Sequence, residues 1–439
     1  MKRNKIRDGF ILFACMFFIV ISSCKKDDSD SDDCPNCPSV TAISPAQAHA
    51  YENLTITGIN FSSDPQSNII KINGVLVDAD SIVSGNQNQI IVKVPKGCGS
   101  GAVTVDLDAE LTHFGTSPLF TYIYRYTVVE IGDVHSVPPC GSTPDCFTMN
   151  YIEPRGIALD ASENVYFSDF GLNCIFKLDK NDGYSPCMLA GCAFSPGNSN
   201  GTGTNASFND PSFIYVDNSN SIFVAENGSA IRTINPVGNV SNWFSSNDLN
   251  PVNGGIAFTR DNSGTAYVTN PGLYNISKII RIGSGFAISH FAGATGVPGN
   301  ADGQDSSATF LSPNGIATDA SGNVYITDSE NNLIRKITPS GVVTTFAGSL
   351  TPGFTNGQGT SSAFNDPQGI FIDSKSDIYI ADKNNGAIRK ITPAGLVSTA
   401  YQFTIGTLEP HGVTKDSQGN FYVTYRSFAG NGIKKIIVE

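Results

Sequence analysis

Two sets of polar side chains in the C-terminal part of the chain have types suited to holding a ligand. Asp169, Glu226, Asn270, Asp328, Asp382 and Tyr425 each end a short run of β-branched and aromatic residues, as in NVYITD and DIYIAD. Arg155, Ser212, Gly254, Asn314, Gln368 and His411 each stand directly before a glycine, or before the residue that replaces it, in phrases such as SPNGI and DPQGI. Brought into one ring, the first set is a polar and mostly acidic mouth. Its carboxylate and amide oxygens suit a hard cation such as Ca²⁺, with Glu226, Asn270 and Asp328 as candidate ligands. Joined by the second set, it could instead hydrogen-bond a sugar or a peptide, with Tyr425 as a stacking surface. A third reading is architectural: each aspartate takes the arginine of its own repeat, Asp328 with Arg335 and Asp382 with Arg389, or caps a turn. Arg155, Glu226, His411 and Tyr425 break the repeat and fit that reading less well.

Catalysis finds little support in the residue types. Of the five histidines, His49 and His113 fall in the N-terminal part, His135 in a loop and His290 on an outer strand. Only His411 joins the ring, too few for a histidine-ligated zinc site. No nucleophile stands beside a base, so no catalytic residue is assigned and no cofactor is expected beyond the candidate Ca²⁺. A net charge of −12 leaves no basic stripe to neutralise phosphates, which excludes nucleic acid as a partner.

The elements that must position these residues repeat. EPRGIALD, DPSFIYVD, VNGGIAF, SPNGIATD, DPQGIFID and EPHGVTKD return at steps of roughly 40 to 60 residues, a period that points to a solenoid or a propeller. Each copy carries alternating runs such as GIATD, NVYITD, LIRKI and VVTTFAG, which make the four short strands of a propeller blade. The last copy ends at GIKKIIVE and lacks its outer strand, whereas YTVVEIG, residues 126–132, precedes the first copy without an owner. That mismatch predicts that residues 126–132 pair with residues 433–438 and close a six-bladed ring, which removes two open sheet edges. Long Gly- and Asn-rich passages between copies, such as GSLTPGFTNGQGTSSAFND, fall on the face where the ring lies. Such loops are common sites of binding; they also read as ordered linkers between blades.

The phrase Pro-x-Gly-Ile, an Asp, Gly-Asn-x-Tyr, an Asp and then Ile-Arg-Lys-Ile resembles the NHL repeat family. The match is strongest over residues 313–348 and 367–400 and good over 154–191. It weakens where Phe213, Asn270 and Tyr425 depart from the phrase, which puts shared chemistry at those blades in doubt and leaves the fold intact. The resemblance implies a six-bladed NHL-type β-propeller over residues 126–439. By architecture alone, propellers of this kind include zinc-dependent amidating lyases and calcium-dependent lactonases.

Residues 40–124 hold short strands punctuated by turn residues, the pattern of a small antiparallel sandwich. Ile43 with Pro45, Leu54-Thr55-Ile56-Thr57-Gly58, Asn60-Phe61, Asn73-Gly74, Val94-Pro95 and Phe120-Thr121-Tyr122 resemble the IPT/TIG family of Ig-like domains. The resemblance implies a spacer or interaction module. The fold class expected for the whole chain is therefore all-β, an Ig-like sandwich followed by a six-bladed propeller.

Residues 1–23 begin basic and continue in an apolar run, 10–21, well short of the roughly 20 residues that span a bilayer. This is a signal peptide. Ile21-Ser22-Ser23-Cys24 resembles a bacterial lipobox, which implies cleavage before Cys24 and its lipidation. Residues 24–39 include KKDDSDSDD, a solvated tether similar to the export signal of surface lipoproteins of the Bacteroidetes. Of ten cysteines, Cys15 leaves with the signal and Cys24 takes lipid. The remaining eight, Cys34, Cys37, Cys98, Cys140, Cys146, Cys174, Cys187 and Cys192, are expected to form disulfides in an oxidising compartment. The expectation that follows is a monomeric outer-membrane lipoprotein, exposed at the cell surface. It would touch the membrane through its lipid anchor and bind a glycan or protein through the loop-bearing face. The runner-up is a Ca-dependent lactonase, esterase or lyase.

Overall fold

A computed structural model describes residues 38–438 apart from 97, 99, 107–118, 123, 133–150, 227–229, 246–256, 284 and 405. The signal segment, the tether from Cys24 to Cys37 with Cys34, Gly254, His113, His135, Cys140 and Cys146 lie outside the described residues. Two compact units part between Val128 and Val129, and the chain from Ile437 onward groups with the first.

The first unit is a sandwich of two sheets. Ser39–Ser44, Asn53–Ile59, Gln89–Lys93 and Ile82–Asn86 form one; Gln47–Ala48, Leu119–Tyr122, Gly101–Asp106, Ile69–Ile72 and Val75–Leu76 form the other. Strict alternation builds it: in NLTITGI every second side chain is buried. Leu54, Ile56, Ile70, Ile72, Ile90, Val92 and Val103 are wholly withdrawn from water and interdigitate between the sheets.

The second unit is six sheets of four main strands, three of them joined at the outer edge by a two-residue strand. Five second strands are buried along their full length, as in VYITD and IYIAD, and the sixth as far as Tyr425. This explains why these runs do not alternate between apolar and polar residues. Asp319 shows how the phrase Asp…Gly-Asn-x-Tyr works. Its carboxylate accepts from the backbone N–H groups of Ser321 and Asn323 at 2.9 Å each, from Asn323 Nδ2 at 2.8 Å and from the Tyr325 hydroxyl at 3.3 Å. The turn between the first two strands is thereby fixed by one side chain.

Ring closure is as expected. Tyr126–Ile131 is hydrogen-bonded beside Gly432–Val438, and with Glu409–Lys415 and Phe421–Arg426 it completes the sixth blade. The Tyr425 hydroxyl donates to Glu130 Oε1 at 2.6 Å, and Lys434 pairs with the same carboxylate.

The glycine of Pro-x-Gly-Ile marks the narrowest approach between neighbouring blades. A Cβ on Gly369 would stand 2.5 Å from the His411 carbonyl oxygen, and one on Gly412 2.3 Å from the Arg155 carbonyl oxygen. At these two positions a larger residue would force the inner strands apart. Hydroxyls seal the same seam. Thr327 Oγ1 accepts from the Gly315 N–H and donates to the Gln368 carbonyl, both at 2.7 Å. Thr269 reaches the Asn314 carbonyl at 2.9 Å, and Thr424 reaches that of Arg155.

The expectation of general disulfide bonding needs correction. Cys98, Cys174 and Cys192 carry free thiols. Cys98 and Cys174 are buried and act as small apolar groups, the latter with its thiol toward the Leu172 carbonyl at 3.4 Å. Any bridge among the other cysteines reaches one outside the described residues.

Candidate functional site

The ends of the second strands do not form an open acidic mouth. Asp169, Asn270, Asp328 and Asp382 are 0% exposed and Glu226 1%. Arg335 Nη1 donates to Asp328 Oδ2 at 3.1 Å and Arg389 Nη1 to Asp382 Oδ2 at 2.9 Å, with all four side chains out of contact with water. Arg232 and Glu226 form a third such pair at 3.2 Å. These arginines also hold the blade-to-blade passages. Arg389 donates to the carbonyls of Ala363 and Thr355 at 2.8 and 3.0 Å and lies over the Phe364 ring at 5.0 Å. Arg335 does the same with Thr309, Ala301 and Phe310. The long loops are thus ordered linkers with a small aromatic core of their own.

Where the acid is absent, so is the arginine. Asn270 Nδ2 donates to Asn275 Oδ1 at 2.8 Å and to Ser277 Oγ at 3.0 Å, Ser277 occupying the arginine's place. Asp169 faces Phe176 in that place and accepts instead from the backbone N–H groups of Ile152, Glu153 and Leu172. Burial pushes the Asp169 and Asp382 carboxyls up, and Glu226 up to about 7 in spite of Arg232. Tyr425 gives its hydroxyl to the closing strand and offers no stacking surface at a mouth. The proposed Ca²⁺ set is corrected likewise: Glu226, Asn270 and Asp328 are each engaged within separate blades. Among the described residues no group of three acidic, histidine or cysteine side chains could hold a metal.

The second set does converge. Arg155, Ser212, Asn314, Gln368 and His411, from five first strands, line an axial pocket of about 250 Å³ at the end where the second strands finish. The inter-blade seam fixes their backbones, so the side chains are the variable part. Asn314 Nδ2 donates to Gln368 Oε1 at 2.6 Å, and Gln368 Nε2 donates to Asp366. Below them Ile157, Phe213, Ile370 and Val413 form an apolar collar that also roofs a second chamber of about 350 Å³ toward the other face.

Three further residues in the pocket wall escape the sequence reading: Glu153, Lys383 and Arg426. They make the mouth cationic, not acidic. Arg155 donates to Glu153 Oε1 through Nε and Nη2 at 3.0 and 2.6 Å, its guanidinium 3.5 Å above the Phe170 ring. Arg426 shares the same oxygen at 3.4 Å. Lys383 pairs with Asp366 at 2.7 Å. Burial, and then the charges of Lys383, Arg155 and Arg426, push the His411 imidazole down to about 3, so it is neutral at ordinary pH. Its Nε2 is buried and without a hydrogen-bond partner among the described residues. A signal for Lys383 and Arg426 did exist. Lys383 directly follows its second strand and Arg426 ends its own, at the place where Phe170, Pro271 and Ser329 stand in other blades.

Residues 38–124 match the IPT/TIG domain, and residues 310–337 match the NHL repeat. A crystal structure of a protein of unknown function from Bacteroides thetaiotaomicron is similar over 93% of this chain and 99% of its own, with a TM-score of 0.58 at 16% identity. An auxiliary nutrient binding protein from Bacteroides ovatus is similar over 92% of this chain and 98% of its own, at a TM-score of 0.53 and 15% identity. One from Bacteroides thetaiotaomicron covers the same shares at 0.52 and 13%. At such identity the likeness speaks for the fold. Suppressor of quenching 1, a chloroplastic protein of Arabidopsis thaliana, is 33% identical over 94 residues, which make up 21% of this chain and only 9% of that protein.

Proposed function

We propose that this chain, an IPT/TIG domain followed by an NHL-type propeller, is a binding protein that captures a glycan or a peptide segment in the axial pocket. One observation carries the reading. The side chains that differ from blade to blade gather in the pocket, while the repeated acids are consumed in buried pairs. Concave walls with a few convergent polar groups over an apolar floor are the usual form of a ligand site. Two of the fold relatives are auxiliary nutrient binding proteins, and the same use of the scaffold is proposed here.

The lipobox-like Ile21-Ser22-Ser23-Cys24 and the acidic tether support a surface lipoprotein, with the propeller facing the medium. Labelled fatty acid should enter the wild-type chain and not the Cys24→Ala variant, and external protease should reach it on whole cells. For binding, the purified full-length chain is applied to glycan and peptide arrays beside His411→Trp, which fills the pocket. Hits that vanish in the variant, with its melting temperature unchanged, support the reading. Hits that survive place the ligand elsewhere, and an empty array sinks the proposal. Lactone and ester substrates are expected to remain intact, with or without added Ca²⁺.

A further inference from the structure

The charge of the pocket wall runs against that of the chain. The whole sequence carries −12, yet three cations, Arg155, Lys383 and Arg426, face the pocket with Glu153 as the only acid in its wall among the described residues. Asp366, behind Lys383, is the second carboxylate in reach. Among the described residues two carboxylates therefore serve three cations. One of them, Glu153, is divided between two guanidiniums through a single oxygen, Oε1.

Resting on the binding function proposed above, we infer that the ligand is an acidic sugar of the uronate type, its carboxylate held by Arg426, Lys383 and Arg155. The carboxylate supplies the missing negative charge. Arg426, with 47% of its side chain exposed, is the cation least committed to the protein, and a guanidinium can take a carboxylate through two parallel N–H groups. The remaining wall suits the rest of a sugar ring. Asn314, Gln368 and Ser212 present neutral donors and acceptors at the height of ring hydroxyls, and the buried His411 Nε2 has no other partner among the described residues. Ile157, Phe213, Ile370 and Val413 offer the floor on which an apolar ring face would rest. Size decides against a larger occupant: about 250 Å³ admits one pyranose ring, not a folded segment of another chain. The electrostatics agree with the geometry, since burial and then the same three cations hold the imidazole neutral.

The test is calorimetric titration of the full-length protein with galacturonate, glucuronate and their short oligomers, beside galactose, glucose, acetate and a peptide with a free C-terminal carboxylate. A uronate is expected to bind at least about tenfold more tightly than its neutral sugar, a preference that shrinks between about 50 and 500 mM NaCl as the charges are screened. Arg426→Gln and Lys383→Gln should each erase most of that preference. Both head groups are partly solvated, so these variants should fold; Arg155→Gln, which also loses its stacking on Phe170, needs its melting curve checked. Equal binding of neutral and acidic sugars in the pocket would overturn this inference and leave the binding function standing. So would acetate or the peptide binding as tightly as any uronate. No binding of any probe, on the arrays or in the calorimeter, would remove both.

Discussion

Within one blade, two polar residues at the same end of the propeller meet opposite fates. In the blade that begins at Pro367, Asp382 is sealed against Arg389, while Gln368, one strand nearer the axis, faces the pocket. The blade before it repeats the arrangement with Asp328 and Arg335 against Asn314. The difference lies in what each position owes to the fold. A carboxylate and a guanidinium taken wholly out of water tolerate no independent change, because loss of either leaves a stranded charge. They recur together or leave together, as at Asn270 and Ser277, except at Asp169, where backbone N–H groups take the arginine's place. A side chain at the axis has its backbone fixed by a glycine and a hydroxyl from the neighbouring blade. Its head group is therefore free to differ, and five of them do.

The sharpest way to break this contrast is to open a pair. Asp382→Ala leaves Arg389 buried and uncompensated, and should cost about 3–5 kcal/mol in urea unfolding, whereas Asp382→Leu with Arg389→Met should cost much less. A loss confined to local melting of one loop would contradict the view of the pair as part of the scaffold. Next comes Glu226, which burial lifts to about 7. Its folded form holds a proton that the unfolded chain has released above the ordinary carboxyl value. Its contribution to stability therefore falls as pH rises from about 4.5 to 7, by an order of ~2–3 kcal/mol. Glu226→Gln should flatten that fall in melting curves taken across the window. His411 works with the opposite sign. Its imidazole is held down to about 3, so the unfolded chain binds the extra proton, and stability is lost as pH falls through the acid range below about 6.5.

Gly412→Ala tests the seam itself. The added methyl meets the Arg155 carbonyl oxygen, and a loss of about 1–3 kcal/mol is expected together with weaker ligand binding, since Arg155 must move. The smallest effect on stability belongs to the pocket. Lys383→Gln should lie within about 0.5 kcal/mol of wild type by urea unfolding, while changing what the protein binds. A large destabilisation there would erase the distinction between the two sets.

Much of the fold was legible because its causes are local and repeated. The returning phrase fixes four strands per blade, and the count of strands left over at the two ends predicts the closure that Tyr126–Ile131 and Gly432–Val438 make. The pairing of Asp328 with Arg335 and of Asp382 with Arg389 could be read as one alternative, since seven residues across a tight two-stranded turn bring both to one face. The site was legible only in part. Arg155, Asn314, Gln368 and His411 were found by their place before the glycine, but grouping them with the acids gave the mouth the wrong sign. The error has a clear cause: position along a strand says which end a residue reaches, and says nothing of which side of the neighbouring blade buries it.

From the amino-acid order alone come the all-β class, the six-fold repeat, the borrowed strand and the set of positions that can vary. These follow from periodicity, from β-branched runs and from turn residues, each acting over a few neighbours. Which carboxylates are buried and which side chains see the ligand were settled only in three dimensions. So was the meeting of Arg155 with Lys383 and Arg426, more than two hundred positions further along the chain, around a neutral His411. Burial and electrostatic potential are sums over everything nearby, and only closure of the ring determines what is near.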